Sequence, residues 1–306
     1  MTEYKYTELF RSLQGEGKYT GQNSLWLRFF LCNLECRGFM QENPADPTTY
    51  KPVGNDIDIT NVTSFEELPI FEYGCDSAYS VAKRFRDLAH SGTAQEICNE
   101  LQGILRNDSN PEGLFQHPQS KQHTDMCFTG GEPLIKTSQN AIVDIMDEFA
   151  KRRNCPTRVT VETNGTKKLE DNLYDLVKNR HSAYFPSGTE TEWFWSVSPK
   201  LLHTSGEQPK KALKPEFVAK YAEASNSGQL KYVVNGTEES WNDVEEATKM
   251  FRDVGVEWPV YIMIAGATKE QQEADHVAKI SDEALARGYH VSGRLHCFIY
   301  GNALNT

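Results

Sequence analysis

Short apolar runs alternate with stretches of helical periodicity through the second half of the chain. Strands are predicted where the apolar runs lie, at 126–128, 158–161, 193–197, 230–234 and 260–264. Helices are predicted where apolar residues recur at helical spacing, at 138–152, 169–180, 239–252 and 268–287. A repeated strand, polar loop and helix are typical of parallel strands joined by right-handed crossovers. With five or six such units, the pattern favours an α/β fold built as a partial or full β/α barrel over an open doubly wound sheet.

The first part of the chain, up to residue 123, is less regular. A short extended run covers 6–17, and an apolar strand is predicted at 24–31, with Arg28 as its one charge. Helices are predicted at 78–90 and 93–105. An arginine inside an apolar strand either reaches solvent or faces a polar cavity.

Two segments, 37–74 and 106–123, are polar and rich in turn residues. We interpret them as loop insertions within a single domain that spans residues 1–306. A long loop inside a compact domain is uncommon and often functional. We therefore expect 37–74 to contain short strands at most and to pack over the neighbouring site.

Charge and hydropathy narrow the class of function. The net charge of −11 over 306 residues argues against a broad electrostatic surface for nucleic acid and favours a small-molecule substrate. No apolar run approaches the ~20 residues of a membrane helix. The start of the chain lacks the apolar region of a signal peptide. We therefore expect a cytoplasmic protein without a membrane partner.

The cysteines point to a metal site. Seven cysteines at uneven spacing look like ligands and core residues instead of a disulfide framework. Cys32 and Cys36 follow the strand predicted at 24–31, and thirty-eight residues separate Cys36 from Cys75. Thiolates there favour zinc or an iron–sulfur cluster, and three of them would leave one iron of a four-iron cluster open to a substrate. The alternative is that Cys32 and Cys36 are ordinary buried core residues.

Polar motifs follow predicted strands in the repeating part of the chain. They are Thr129 to Pro133, Glu162 to Thr166 and Ser198 to Lys200. In β/α barrels ligands meet the carboxyl ends of the strands, so these motifs predict one shared site. Paired glycines let a ligand approach the backbone, and a carboxylate suits an ammonium group. Each motif taken singly also fits a turn or a solvent-facing loop.

Two further segments carry candidate chemistry. Asp76 and Ser77 offer hard oxygen ligands of the kind that Mg²⁺ takes, although they also suit the cap of the helix predicted at 78–90. The last residues are apolar with embedded cations, so we expect them to be tied down, with His296 as a buried structural histidine.

Taken together, these motifs resemble the radical S-adenosylmethionine enzymes, and within them the 7-carboxy-7-deazaguanine synthase family of the queuosine and 7-deazapurine pathway. The matching segments span nearly the whole chain in the family's order. They are Ser12 to Gly17, Cys32 to Cys36, Cys75 to Ser77, Thr129 to Pro133, Glu162 to Thr166, Ser198 to Lys200, and Arg294 to His296 with Gly301 and Asn302.

The resemblance implies a fold, a reaction and a set of ligands. The fold would be the partial β/α barrel of this superfamily, with an insertion in its cluster-binding loop. The reaction would be a radical ring contraction of 6-carboxy-5,6,7,8-tetrahydropterin to 7-carboxy-7-deazaguanine with loss of ammonia. A 5′-deoxyadenosyl radical formed from S-adenosylmethionine would start it. The resemblance also implies a homodimer and an electron donor such as flavodoxin or ferredoxin.

Each matching residue acquires an implied role. A [4Fe-4S] cluster would be held by Cys32, Cys36 and Cys75. The residues that would bind S-adenosylmethionine are Gly131, Glu132, Glu162, Asn164, Ser198, Pro199 and Lys200. The residues that would surround the pterin are Leu13, Gln14, Gly15, Glu16, Arg28, Thr129 and Thr306. Ser77 would replace the family's threonine as a ligand of Mg²⁺.

One departure from the family affects the cluster loop. The usual spacing is Cys-x3-Cys-x2-Cys, and Phe39 stands where the third cysteine would be. We choose Cys75 because Cys75-Asp76-Ser77 resembles the family's Cys-Asp-Thr, whereas Cys98 lies in a predicted helix and Cys127 in a predicted strand. The entropic cost of closing a loop grows slowly with its length, so the insertion is tolerable as a flap beside the cluster.

Two other functions are compatible with a cysteine site. One is a radical activase that places a glycyl radical on a partner protein. The other is a non-catalytic, metal-stabilised binding protein. The Gln14 to Gly17 segment and the carboxylate-matching Arg28 favour a small-molecule enzyme.

Overall fold

A computed structural model describes residues 2–56, 58–69, 71–81, 83–180 and 191–301. Within these ranges the strands form one sheet in the order β3-β1-β2-β4-β5-β6-β7-β8-β9. The strands are β1 Glu3–Leu13, β2 Asn23–Phe29, β3 His90–Thr93, β4 Asp125–Gly130, β5 Arg158–Thr163, β6 Glu192–Val197, β7 Ser227–Val234, β8 Val260–Ile264 and β9 His290–Ser292.

The sheet is mainly parallel and is not closed. From β2 through β4 to β9, each neighbouring pair is parallel, whereas β1 pairs antiparallel with β2 and β3. Among the described residues β3 and β9 are the two edges of the sheet. The prediction of a partial β/α barrel is therefore confirmed.

Helices connect the parallel strands and bury apolar faces against them. They are α1 Ala94–Leu105, α2 Lys136–Lys151, α3 Asp171–Asp175, α4 Leu202–Ser205, α5 Pro209–Ala212, α6 Pro215–Ala224, α7 Glu238–Asp253, α8 Lys269–Gln272, α9 His276–Ala286 and α10 Leu295–Tyr300. In α2 the predicted apolar face is fully buried, with Ile142, Ile145 and Phe149 in the main core. Helical periodicity thus identified the contact face correctly.

Three helix predictions differ from the structure. The helix at 78–90 is wrong: two short 3₁₀ segments lie there, Ala78–Ser80 and Lys83–Leu88. The carbonyl of Ser80 accepts from the N–H of Leu31 at 2.7 Å, and this long-range bond is not one a continuing helix would make. The helix at 268–287 is divided into α8 and α9, and the one at 169–180 continues past α3 as a π-helical turn, Leu176–Arg180.

The segment 37–74 folds without strands in its described residues. It contains three 3₁₀ turns, Pro47–Thr49, Gly54–Asp56 and Phe65–Glu67. Two of its aromatic residues, Phe65 and Phe71, join a small apolar cluster that is separate from the main core. The buried members of this cluster are Phe30, Phe65, Phe71, Ala78, Tyr79 and Phe85.

Elsewhere the fold is close to expectation. The segment 106–123 is a loop with two isolated bridges, as predicted. The sequence pattern does not predict the short strands β3 and β9, or α6, whose first residue is proline. None of the helices in the described ranges has the length and apolar character needed to cross a membrane.

Phe85 belongs to the small apolar cluster, and its replacement measures how much this cluster contributes to stability. Replacing this fully buried ring with alanine should lower the free energy of unfolding by about 3–5 kcal/mol, because a large cavity would remain. Phe298→Ala is a matched control, since that ring is 38% exposed and its loss should change stability by about 0.5 kcal/mol or less. Equal effects of the two variants in urea unfolding would contradict the prediction.

Candidate active site

A cavity of about 620 Å³ lies at the carboxyl edge of the parallel strands. Segments distant in sequence meet there, because parallel strands end on the same side of a sheet. Most residues predicted for a site line this cavity: Leu13, Gln14, Gly15, Glu16, Arg28, Cys32, Cys36, Cys75, Ser77, Thr129, Gly131, Glu162, Asn164, Ser198 and Lys200. Pro199 and Glu132 do not line it, and Thr306 lies outside the described residues.

The cysteines separate into two groups. Cys32, Cys36 and Cys75 line the cavity and pack in one small apolar cluster beside it. Cys98 lies in α1, where its thiol contacts the carbonyl of Ile145 at 3.6 Å, and Cys127 is buried in β4. Neither of these two lines the cavity, so the structure brings together the three thiols that the motifs selected.

Burial affects the thiols strongly. It raises the pKa of Cys32 to about 11 and the pKa of Cys75 to about 12, although nearby Lys200 opposes both shifts. It also raises the pKa of Cys36 well above its ordinary value. The thiols are therefore protonated at neutral pH, and a metal centre would have to displace those protons when it binds.

The donor set suits an iron–sulfur cluster, since its three side chains are all thiols. In the described part of the chain, no three His, Cys, Asp or Glu side chains are grouped closely enough to hold one metal ion. A single ion draws its ligands to one point, whereas each thiolate on a four-iron cluster binds a different iron atom. Three soft thiolates on the wall of one large cavity agree with the second arrangement.

The loop that carries Cys32 and Cys36 is fixed by the neighbouring motif. Leu31 has a φ of 87° and Cys36 a φ of 51°, so the chain turns sharply at both ends of the loop. The N–H of Glu132 donates to the carbonyl of Leu31 at 2.8 Å. A Cβ atom at Gly131 would collide with that same carbonyl, so the close approach of the two segments requires glycine there.

Both carboxylate oxygens of Glu132 accept hydrogen bonds from other residues of the chain. Its Oε1 accepts from Thr163 Oγ1 at 2.6 Å and from the N–H of Leu134 at 2.9 Å, and its Oε2 accepts from the N–H of Asn164 at 2.8 Å. The side chain has no exposure to solvent. Burial raises its pKa, whereas the three donors lower it. In this structure Glu132 fixes the start of the Asn164 loop and does not face the cavity.

A buried ionic network crosses the cavity wall. Lys231, in the middle of β7, donates to Glu16 Oε2 at 2.6 Å and to Glu162 Oε2 at 3.0 Å. Gln14 donates to the other oxygen of Glu162 at 3.0 Å. Arg294 joins Glu16 Oε1, at 3.0 Å, to Asp76 Oδ2, at 2.8 Å. The N-terminal motif, the segment after Cys75 and the C-terminal segment are thus linked by charge.

Arg28 is held from one side. Its Nε donates to Glu8 Oε2 at 2.6 Å, and Tyr79 donates its hydroxyl to the same oxygen at 2.9 Å. Its Nη1 lies 3.4 Å from Ser77 Oγ. The arginine therefore faces a polar cavity, which is one of the two alternatives that its sequence context left open.

The sequence pattern did not identify some of the residues that shape the cavity. Lys231 is a single charge inside an apolar run, the same signal that marked Arg28. His296 was expected to be buried, but it is partly exposed and lines the cavity. Its ring lies against Gly15, where a Cβ atom would collide with it. Glu8 and Tyr79 carry no local signal, because their roles depend on pairing with Arg28 across the fold.

Lys231 is buried between two partly buried carboxylates, and its removal should lower stability markedly. We expect Lys231→Met to lower the free energy of unfolding by about 3–5 kcal/mol, because Glu16 and Glu162 would lose a buried partner. Lys249→Met is the control: its ammonium pairs with Asp253 on the surface, and such pairs contribute about 0.3–0.5 kcal/mol. Similar losses for both variants in urea unfolding would show that the buried network is not stabilised by Lys231.

Glu16 should make stability depend on pH. Burial alone would raise its pKa, but Lys231, Arg294 and His296 hold it well below the ordinary value of 4.5. Its stabilising effect is therefore complete above that value and is lost as the pH falls toward the lower pKa of the folded state. The difference in unfolding free energy between the wild type and Glu16→Gln should be constant down to about pH 5 and shrink below it. A difference that stays constant down to about pH 3 would refute this.

Comparisons with known proteins agree with the motifs. No family model matches the chain. A 7-carboxy-7-deazaguanine synthase from Rhodopirellula baltica is 24% identical over 304 residues, covering 98% of this chain and 88% of that protein. One from Thermoplasma acidophilum is 26% identical over 168 residues, covering 55% of this chain and 50% of that protein.

A solved structure shows the same fold. The crystal structure of QueE from Escherichia coli matches with a TM-score of 0.51 and 15% identity, covering 96% of this chain and 95% of that one. The recognition made from the motifs is therefore confirmed: the chain is similar in sequence to 7-carboxy-7-deazaguanine synthases and similar in fold to QueE.

Proposed function

We propose that this chain is a 7-carboxy-7-deazaguanine synthase that contracts the ring of 6-carboxy-5,6,7,8-tetrahydropterin with loss of ammonia. The observation that carries the proposal is the shared cavity. Three thiols, the glycine motif after β4 and the buried ionic network all line it. A relative that aligns with 98% of this chain carries this name.

Cys32, Cys36 and Cys75 would hold the [4Fe-4S] cluster. Three protein thiolates leave one iron of such a cluster without a protein ligand, and that iron suits the amino and carboxylate groups of S-adenosylmethionine. When bound, the cluster and S-adenosylmethionine supply the radical chemistry of the reaction. The chain's own contribution is to bind and orient both molecules and to exclude water.

S-Adenosylmethionine would lie between the cysteines and the ends of β5 and β6. Gly131 gives it access to backbone, and Lys200, whose Nζ donates to Ser198 Oγ at 3.1 Å, provides a cation for its carboxylate. Glu162, Asn164 and Pro199 complete the set that the resemblance selects. Glu132 serves the cofactor through Asn164, because its carboxylate fixes the backbone of that residue.

The pterin would lie against the N-terminal motif. Arg28 presents a guanidinium whose Nε is held by Glu8, which leaves Nη2 and the weakly bound Nη1 for a bidentate contact with the substrate carboxylate. Leu13, Gln14, Gly15, Glu16 and Thr129 line the same part of the site. Thr306 stays in the proposal from the resemblance alone.

Ser77 and its neighbour Asp76 would supply oxygen ligands for Mg²⁺. The guanidinium of Arg28 lies 3.4 Å from Ser77 Oγ, and two cations repel each other at that range. The carboxylates of Glu8 and Asp76 already reduce this repulsion, and the substrate carboxylate would reduce it further. A homodimer, a flavodoxin or ferredoxin as electron donor, and a cytoplasmic location stay predictions.

A turnover assay tests the proposal. Reconstituted enzyme incubated without oxygen with the pterin, S-adenosylmethionine, Mg²⁺ and a reductant should yield 7-carboxy-7-deazaguanine and ammonia, detected by mass spectrometry and an ammonia assay.

Arg28→Lys should lower kcat/KM about tenfold or more, because lysine keeps the charge but loses the planar fork.

Two results would contradict the proposal that this chain is a synthase. Turnover of S-adenosylmethionine only with a protein substrate would indicate a glycyl-radical activase. Bound zinc with no 5′-deoxyadenosine formed would indicate a non-catalytic binding protein.

The choice of Cys75 is tested separately. Cys75→Ala should prevent assembly of the four-iron cluster, because two thiolates do not replace three. Cys98→Ala and Cys127→Ala should keep the cluster, since both thiols lie outside the cavity. Iron and sulfide per chain give the answer, and a full cluster in Cys75→Ala would refute the assignment.

A further inference from the structure

The loop that carries Cys32 and Cys36 is hydrogen-bonded to a carboxylate from a distant part of the chain. Glu207 lies between α4 and α5, and its Oε1 accepts from the N–H of Glu35 at 2.7 Å and from the N–H of Cys36 at 2.9 Å. Its Oε2 accepts from Lys211 Nζ at 2.9 Å. The carboxylate side chain is only 7% exposed, so its bonds to the two backbone N–H groups are shielded from water.

The same segment supports the loop a second time. The N–H of Gly38 donates to the carbonyl of Ser205 at 3.0 Å. A Cβ atom at Gly38 would lie 2.6 Å from the backbone nitrogen of Gly206, so the two backbones are in close contact. Residues 205–207 therefore form the support on which the Cys36 end of the loop lies.

This support matters more here than in a chain with closely spaced cysteines. The third thiol comes from beyond a long insertion, so Cys75 adds little local restraint to the short loop before it. Cys36 also has a left-handed backbone conformation, with a φ of 51°, which a non-glycine residue adopts only when its surroundings fix it. Two backbone donors on one buried carboxylate provide that restraint.

We propose that Glu207 is a positioning residue that holds Cys36 for cluster binding, and that its negative charge makes the bound cluster harder to reduce. The inference rests on the proposed cluster site. Partners outside the ligand shell orient metal ligands, and net charge and N–H bonds to sulfur set the potential of iron–sulfur clusters. Here the N–H groups of Glu35 and Cys36 are engaged by Glu207, so they are withheld from the cluster sulfurs.

Three variants separate geometry from charge. Glu207→Ala removes the acceptor and the charge, and Glu207→Gln keeps an oxygen that can accept from both N–H groups while removing the charge. Lys211→Met removes only the exposed ammonium and leaves both backbone bonds in place. Each is reconstituted without oxygen beside the wild type. Iron and sulfide per chain, the midpoint potential from an EPR-monitored titration, and the thermal midpoint of the apoprotein are measured.

We expect Glu207→Ala to bind the cluster about 10- to 100-fold more weakly, with iron and sulfide lost on gel filtration. Glu207→Gln should keep its iron but show a more positive potential, a shift that a merely structural role would not produce. Lys211→Met should match the wild type in iron content. The apoprotein thermal midpoint of Glu207→Gln should stay near that of the wild type, so that its potential refers to a folded chain.

Each contrary result has its own meaning. A full, stable cluster in Glu207→Ala would overturn the positioning role, and a wild-type potential in Glu207→Gln would overturn the effect of charge. Failure of the wild-type chain itself to take up iron and sulfide would overturn the proposed function, and this inference with it.

Discussion

The structure depends on one geometric constraint: β2 and β4 to β9 are parallel, so they end on the same side of the sheet. Whatever follows each strand is delivered to one edge. Cys32 follows β2, Gly131 follows β4, Asn164 follows β5 and Ser198 follows β6, and all four line one cavity. Thiols and polar side chains are thereby placed side by side in one cavity, as the proposed function would require.

Ion pairs of the buried residues Lys231 and Arg294 link the N-terminal motif and the segment after Cys75 to the carboxyl edge of the sheet. Lys231 and Arg294 both hold Glu16, and Arg294 also holds Asp76, the residue after Cys75. Burying ions costs free energy that only good pairing offsets, so such networks are weak devices for stability and are more often found where a site needs fixed charges. Here the network positions the segment that brings Cys75 back from the insertion. The third thiol thus depends on a contact with the far end of the chain.

The sequence predicted the features that repeat or that lie next to one another along the chain. Strand and helix periodicity gave the α/β repeat, and the strand-end position of Gly131 and Ser198 placed them at one site. The sequence pattern could not predict contacts between residues distant in the chain. Glu132 has a carboxylate that suits an ammonium group, but Thr163 and Asn164 donate hydrogen bonds to that carboxylate. The helix expected at 78–90 does not form, and the carbonyl of Ser80 accepts a long-range hydrogen bond from the N–H of Leu31. Lys231 was missed although its local signal equalled that of Arg28.

We propose that the thiols of Cys32, Cys36 and Cys75 bind one cluster at the carboxyl edge of the sheet. A crystal grown without oxygen, with S-adenosylmethionine, and measured at the iron absorption edge tests it directly. We expect anomalous density for a four-iron cluster in contact with all three sulfurs, with one iron bound by no protein atom. Density for a single ion, or a Cys75 sulfur directed away from the iron, would contradict it.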